Sequence, residues 1–203
     1  WQVRKASYSF LQERLKSLSK GPAPLNSSIV YASLDQTITQ ALKDKNAGAL
    51  DAAVTLSFTY AASCEGACTE DAANEMMTSL LKGAAFASPR SSTQTSTEEL
   101  VLKLIEVSPK GSSSISNIFD LIKEHGLKSK KPKVVLFSAK LVLKSVETFG
   151  ANSLPISTLK ASSESLIAHS DSKVREFGLK LLAEICRSLG SKAPLQSLVD
   201  KLK

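Results

Sequence analysis

A helical pattern that occurs twice, 40 residues apart, is the feature that most constrains the fold of this chain. After Asp171 the sequence reads DSKVREFGLKLLAEICRSLG, and its apolar or small residues fall on one face of an α-helix. That face comprises Val174, Phe177, Gly178, Leu181, Leu182, Ile185, Cys186 and Leu189. Forty residues earlier the same positions hold Val134, Phe137, Ser138, Leu141, Val142, Ser145, Val146 and Phe149. The repeat predicts two equivalent helices, each preceded by a basic stretch and followed by a glycine.

The same pattern also fits the start of the chain, at Val3, Ala6, Ser7, Phe10, Leu11, Arg14, Leu15 and Leu18. Apolar periodicity and the glycines that follow helical runs predict further helices at 27–42, 47–63, 69–81, 96–107, 113–125 and 154–168, and a last one from Pro194. The sequence has no alternating Val/Ile/Thr pattern of the kind that is typical of strands. It therefore predicts an all-α protein.

The predicted helices form pairs at a spacing near 40 residues, at 27–63, 69–107, 113–149 and 154–189. Helix pairs that repeat at this spacing are typical of HEAT repeats, which stack into a solenoid and bury their apolar faces against their neighbours. The helix that begins at Val3 then corresponds to the second member of a pair whose partner would precede Trp1. We therefore expect residues 1–203 to form a single domain with an incomplete first repeat, as a fragment of a larger protein.

Positive charge is the second informative feature. The chain has 26 Lys and Arg against 19 Asp and Glu, which gives a formal net charge of +7. This balance favours an acidic partner, such as nucleic acid, an anionic membrane or an acidic protein surface. In a solenoid the loops inside the helix pairs line up along one edge. Trp1 and Arg4, residues 43–46, Arg90, residues 128–133, Lys173 and Arg175 would then share one basic edge.

Trp1 is the only tryptophan of the chain, and it lies off the apolar face of the helix that follows it. Tryptophan is enriched at the hot spots of interfaces because its side chain removes a large apolar area from water. The spacing alone leaves two interpretations open, which are an interface hot spot and packing at the end of the chain.

Residues 88–97 include seven serines and threonines. This composition predicts a long, flexible surface loop inside the second helix pair. Phosphorylation of that loop is the alternative interpretation, since a phosphate would add strong negative charge to the segment.

Residues that commonly carry catalytic or metal chemistry are few. Cys64 and Cys68 have a CxxxC spacing, but the nearest histidine in sequence is His125, so we expect free thiols and no bound metal. Free cysteines fit a cytosolic protein. His125 and His169 fall at predicted helix ends, and the sequence has neither a nucleophile elbow nor a phosphate-binding loop, which argues against an enzyme. No run of 18 apolar residues that could span a membrane occurs.

Three segments resemble a TOG domain, the HEAT-repeat module of the microtubule polymerase family. They are WQVRKASYSFLQERL at the start, KSKKPKVVLFSAKLVLKSVETFG around Pro132 and HSDSKVREFGLKLLAEICRSLG around Asp171. The resemblance covers nearly the whole chain and is greatest to the first or second TOG domain of a polymerase. It implies a flat, paddle-like solenoid whose edge of loops binds the αβ-tubulin heterodimer and contributes to microtubule polymerisation and plus-end dynamics. It also implies a cytoplasmic location on microtubules, including the spindle and plus ends.

The resemblance further implies which residues contact tubulin. Trp1 would pack on β-tubulin with Arg4 one helical turn behind it, and Lys173 and Arg175 would face α-tubulin. The other implied contacts are Asn46, Arg90, Lys131 and Lys133. We expect a monomeric domain without a cofactor, a small-molecule substrate or a membrane partner.

Two departures from the family pattern and one alternative function remain. The second loop has Gly48 and Ala49 where many TOG domains have a bulky aliphatic residue, so its apolar contact is expected to be weak. The third loop matches poorly, with Arg90 as its only cation. The alternative is a basic HEAT-repeat scaffold for nucleic acid or another acidic protein. Nucleic acid is disfavoured because aromatic residues make up only 5% of the chain and none is interleaved with the lysines at 128–133.

Overall fold

The computed structural model describes residues 1–18, 27–63, 69–109, 113–191, 193–196 and 200. Within these ranges the structure is helical and has no strand. The α-helices are α1 Gln2–Leu18, α2 Ser27–Ala41, α3 Ala47–Ser63, α4 Glu70–Lys82, α5 Ser91–Val107, α6 Ser113–Leu121, α7 Pro132–Phe149, α8 Ile156–Ile167 and α9 Ser172–Leu189. A π-helix, Ile122–Leu127, continues α6, and two 3-10 turns occupy Ala151–Ser153 and Ala193–Leu195. The predicted all-α class is therefore confirmed.

The chain divides into two compact units, at 1–114 and 115–203. In the first unit α3 packs against both α1 and α5, while α2 packs against α3 and α4. The second members of successive pairs thus form one layer and the first members another, as HEAT repeats do. The core between the layers is apolar, with Leu56, Tyr60, Met76, Met77 and Phe86 almost fully buried.

In the second unit α9 packs against both α7 and α8, and the π-helix packs against α7 and α8. A Cβ atom on Gly178 of α9 would lie 2.8 Å from the backbone nitrogen of Ile167 and 2.8 Å from the Cβ atom of Leu166. Glycine at this position therefore allows α8 and α9 to approach more closely than any side chain would permit. The apolar faces predicted for α7 and α9 are confirmed, since Val134, Leu141, Leu181 and Ile185 are all nearly inaccessible to water.

The predicted apolar face of α1 is wrong. Val3 is 79% exposed and Phe10 is 63% exposed, while Leu15 is buried and Leu11 half-buried. The reason is that α1 packs on α3 with a neighbouring side of the helix, where the Gln12 amide donates a hydrogen bond to Thr59 Oγ1 at 3.1 Å. The sequence pattern marks every apolar side of a helix, and packing selects one of them.

The prediction of a long Ser/Thr-rich loop is also wrong, because α5 begins at Ser91 rather than at residue 96. Thr93 and Thr97 are buried, and the Thr97 hydroxyl donates to the carbonyl of Thr93 at 2.7 Å. Threonine hydroxyls that bond to the preceding turn in this way satisfy their polarity inside a helix. The exposed hydroxyls of this segment that a kinase could reach are those of Ser91, Ser92 and Thr95.

The helix ends follow the prediction in part. Pro132 occupies the first turn of α7, where no amide hydrogen is needed, as expected. Gly150 and Gly190 have positive φ angles of 74° and 62°, but Gly83 has φ −82° and Gly126 lies inside the π-helix. Of the last predicted helix, the described residues show only the 3-10 turn Ala193–Leu195. Gly21 and Gly66, also predicted to end helices, lie outside the described residues.

Candidate functional site

The N-terminal ends of α1, α3 and α5 meet in the first unit. Arg4, in the first turn of α1, forms an ion pair with Asp44 in the loop before α3, with Nε and Oδ2 2.7 Å apart. Arg90, the residue before α5, forms an ion pair with Asp51 in α3, with Nη2 and Oδ2 3.0 Å apart. These contacts bring Trp1, Arg4, Asn46 and Arg90 to one edge of the unit, which we call the Trp1 edge.

Asp44 connects the first two loops of the Trp1 edge. Its carboxylate accepts hydrogen bonds from Arg4 Nε at 2.7 Å and Nη2 at 3.2 Å, and from the backbone N–H of Asn46 at 2.9 Å. Only 4% of its side chain is exposed. The hydrogen bond from Arg4 lowers the pKa of Asp44 below its ordinary value, and the backbone N–H of Asn46 acts in the same direction. The carboxylate therefore stays ionised and fixes the loop at 43–46 to α1.

Asn46 forms the start of α3. Its side-chain oxygen accepts hydrogen bonds from the backbone N–H groups of Gly48 at 3.0 Å and Ala49 at 3.2 Å. This is the arrangement of an asparagine N-cap, which satisfies two of the free amide groups in the first turn. The contact role predicted for Asn46 remains untested, and the structure gives the residue a capping role as well.

Replacing Asp44 with asparagine is expected to lower the free energy of unfolding by roughly 1–3 kcal/mol at pH 7, because a charged hydrogen-bond acceptor is lost from a nearly buried site. A carboxyl whose folded pKa is lowered stabilises the fold above its unfolded pKa, and this stabilisation is lost as the pH falls through the folded value. The difference between the two proteins should therefore shrink below about pH 4. Urea unfolding at pH 7 and pH 3 measures it. Glu75→Gln, at an exposed carboxylate of α4, is the control, and an equal difference at both pH values would contradict the ion pair.

Trp1 is 54% exposed, and its indole lies beside the first turn of α3. A Cβ atom on Gly48 would be 3.4 Å from Trp1 Cζ3 and 3.7 Å from Cε3. One part of the ring therefore packs on α3 while the remainder faces solvent. Both interpretations of Trp1 thus describe part of the side chain, and a half-exposed tryptophan on a basic edge can bury further area against a partner.

The N-terminal ends of α7 and α9 lie at the same end of the second unit. At their other ends, the backbone N–H of Ala151 donates to Ser188 Oγ at 2.7 Å, so the C-terminal ends of the two helices are in contact. Since α7 and α9 each have 18 residues and pack against each other, they run in the same direction. Lys131, Lys133, Lys173 and Arg175 thereby share one edge, which we call the lysine edge.

Lysines and arginines play different parts on the two edges. Arg175 donates from Nη1 to the carbonyl oxygens of His169 at 2.9 Å and Ser170 at 2.7 Å, so it holds the loop before α9 together. Arg4 and Arg90 are held in ion pairs in a similar way. By contrast, the exposed ammonium groups of the edge lysines have no acidic partner in the part of the chain that the structure describes. These lysines are Lys131, Lys133 and Lys173.

Two functional residues were not predicted from the sequence: Asp44 and Asp51, the carboxylates that join the loops of the Trp1 edge. Their partners are 40 and 39 residues away, respectively, so no local pattern identifies the pairs. One signal was present, since Asp44 is an acidic residue between two lysines in a loop that otherwise reads as basic.

The described residues offer few groups for metal binding or catalysis. They contain no group of three or more His, Cys, Asp or Glu residues that could hold a metal ion. Cys64 and Cys68 lie outside the described residues, so their predicted lack of metal is untested. His169 Nδ1 accepts the backbone N–H of Asp171 at 3.0 Å, which gives His169 a role in the loop before α9. No described helix is long and apolar enough to cross a membrane.

Comparisons with known proteins agree with this architecture. A search of curated proteins found no match. Several solved structures are similar. One comes from work on tubulin recruitment by microtubule polymerases with Tumor Overexpressed Gene (TOG) domain arrays. It matches with a TM-score of 0.82 and 20% identity, over 100% of this chain and 41% of that chain. A structure from work on plus-end tracking by XMAP215, CLIP-170 and EB1 has a TM-score of 0.77 and 17% identity, with 100% and 80% covered. A third, of the TOG domain array protein crescerin, has a TM-score of 0.69 and 16% identity, with 99% and 80% covered.

At these identities the structural matches establish the fold, which is that of TOG domains. This chain covers less than half of the length of the chain in the first matched structure. The family itself is established by sequence, since the model of the XMAP215/Dis1/CLASP TOG domain matches residues 1–203. The chain therefore belongs to the XMAP215/Dis1/CLASP TOG domain family.

Proposed function

We propose that this chain is a non-catalytic module that binds the αβ-tubulin heterodimer through the Trp1 edge and the lysine edge. The observation that carries the proposal is that the starts of the second helices present a half-exposed tryptophan in the first unit and, in the second unit, lysines that have no acidic partner among the described residues. One of the matched structures comes from work on tubulin recruitment, which supports the same partner. In this proposal the two edges act on one heterodimer, with Trp1 on β-tubulin and Lys173 and Arg175 on α-tubulin.

The two edges would contribute to binding in different ways. Tubulin is acidic, so the lysine ammonium groups would accelerate the encounter and be sensitive to salt. Exposed charge pairs contribute little on their own. The indole of Trp1 would remove apolar area from water, a contribution that salt does not screen. Arg4, Asn46 and Arg90 would act mainly by fixing the loops from which contacts are made.

A role in microtubule assembly follows from the proposed tubulin binding. Polymerases with TOG arrays recruit and assemble tubulin, and we propose that this domain supplies one tubulin-binding site for microtubule polymerisation and plus-end dynamics. Its place would be the cytoplasmic microtubule cytoskeleton, including the spindle and plus ends. We propose that the domain itself is monomeric and has no membrane, nucleic-acid or small-molecule partner.

Size-exclusion chromatography with purified tubulin tests the proposal. A mixture at low salt should elute as a complex of one domain and one heterodimer, and the complex should dissociate as salt rises. A DNA duplex in place of tubulin is the control for a purely electrostatic association. Elution of domain and tubulin as separate peaks at low salt, together with a shift in the presence of DNA, would replace tubulin with nucleic acid as the partner.

A further inference from the structure

The place that Trp1 occupies depends on a small residue at position 48. Gly48 lies in the first turn of α3, and an added Cβ atom would be in ordinary van der Waals contact with the indole, 3.4 Å from Cζ3. The same Cβ atom would be 3.5 Å from the side-chain oxygen of Asn46. A side chain of one carbon atom would fit at this position. A branched side chain would extend into the space that the indole and the Asn46 carboxamide already fill.

The carboxamide of Asn46 cannot easily move away to make room. Its oxygen is held by the N–H groups of Gly48 and Ala49, and its backbone N–H is held by the carboxylate of Asp44. Asp44 is in turn fixed by the guanidinium of Arg4, one turn beyond Trp1 on α1. Since Asn46 is held by these bonds and Trp1 is half-exposed, the indole is the group that a larger side chain at position 48 would displace.

We infer that Gly48 is a positioning residue for Trp1: it allows the indole to pack beside the N-terminus of α3 with about half of its surface presented to the partner. The inference rests on the proposed tubulin binding for its functional consequence, although the packing can be tested without tubulin. It also gives a different meaning to the glycine that the sequence analysis interpreted as a missing apolar contact. The second loop contributes to the apolar surface by holding Trp1 rather than by offering a side chain of its own.

Gly48→Val is the informative substitution. The two γ-methyl groups of valine occupy two of the three staggered positions around the Cα–Cβ bond, so valine has little freedom to avoid its neighbours. Valine is a better helix former than glycine, so α3 should be retained. Two controls separate the effects. Gly48→Ala adds only the carbon that fits, and Ala47→Val places the same branched side chain on the adjacent exposed position, about 100° around the helix.

Because Trp1 is the only tryptophan, its fluorescence reports on this packing directly. In Gly48→Val the emission should shift to longer wavelength and acrylamide quenching should increase, while both controls should resemble the unmutated domain. The affinity for tubulin should fall roughly tenfold in Gly48→Val, which corresponds to about 1.4 kcal/mol, and should be retained in Gly48→Ala.

Two results would overturn the inference. One is fluorescence and quenching in Gly48→Val that are unchanged from the unmutated domain. The other is an equal change in Ala47→Val, which would show a general disturbance of the α3 terminus. If the unmutated domain failed to bind tubulin, the proposed function would fall, and the fluorescence comparison would still decide whether Gly48 positions Trp1.

Discussion

Replacing Trp1 with alanine is expected to weaken tubulin binding by about 30- to 1,000-fold, because truncation of a tryptophan at an interface hot spot costs about 2–4 kcal/mol. The physical reason is the exposed half of the indole, which would become buried against tubulin at the Trp1 edge. The fold should be retained, since Trp1 is 54% exposed. Isothermal titration calorimetry with tubulin, together with thermal unfolding followed by circular dichroism, measures both quantities.

Phe10→Ala is the matched control for this experiment. Phe10 is an aromatic residue of α1 and is 63% exposed, but it lies more than two helical turns from Trp1 along the chain. Its removal should leave tubulin affinity within a factor of about two, as for an ordinary surface substitution. If Trp1→Ala bound tubulin normally, or if it unfolded at a much lower temperature, Trp1 would have a structural role only.

Reversal of two charges at the lysine edge should have the second large effect. Lys133→Glu and Lys173→Glu should each weaken tubulin binding about tenfold at low salt, and the double variant should approach a hundredfold, since well-separated sites add. Each change places a carboxylate opposite an acidic surface, which adds repulsion to the lost attraction. Affinities of the four proteins, measured from low to physiological salt, should show that the double variant has lost much of the salt dependence.

The choice of Lys173 rather than Arg175 for this experiment follows from the loop before α9. Arg175 is one of the predicted contacts, but its guanidinium also donates to the carbonyl oxygens of His169 and Ser170. Arg175→Glu would therefore loosen the loop as well as reverse a charge, and we expect a lower melting temperature for it than for Lys173→Glu.

Lys180→Glu provides the control for charge alone, since Lys180 is on the same helix about two turns from the edge and is paired with Glu176. If Lys180→Glu weakened binding as much as Lys173→Glu, the effect would come from net charge and not from the lysine edge.

The predictions from sequence are confirmed where the pattern lies within one helix and the fold buries the apolar face that the pattern marks. The faces of α7 and α9 were predicted because each helix is packed on more than one side, so most apolar residues of the pattern are buried and the others are half-buried. The face of α1 was not, because α1 has apolar residues on two sides and only the contact with α3 selects between them. The start of α5 was missed because Thr93 and Thr97 are buried through hydrogen bonds that composition does not reveal.

Some residues of the candidate site could be predicted from the sequence and others could not. Exposed lysines at the starts of α7 and α9 could be predicted from the sequence, since lysine is almost never fully buried unless it is paired. The carboxylates that hold Arg4 and Arg90 could not, because their partners are about 40 residues away in sequence. The space beside Gly48 could not be predicted either, since it depends on where Trp1 lies in three dimensions.

Amide hydrogen exchange of the domain with and without tubulin tests the central claim most directly, because it maps the contact along the whole chain. If the domain binds one heterodimer through both the Trp1 edge and the lysine edge, amide exchange should become slower in the loops at 43–46, 88–90, 128–131 and 169–171. It should also become slower in the first turns of the helices that follow these loops. The C-terminal halves of α7 and α9 should exchange at unchanged rates. Protection at those C-terminal halves, with the four loops unaffected, would show that tubulin binds elsewhere and would contradict the account.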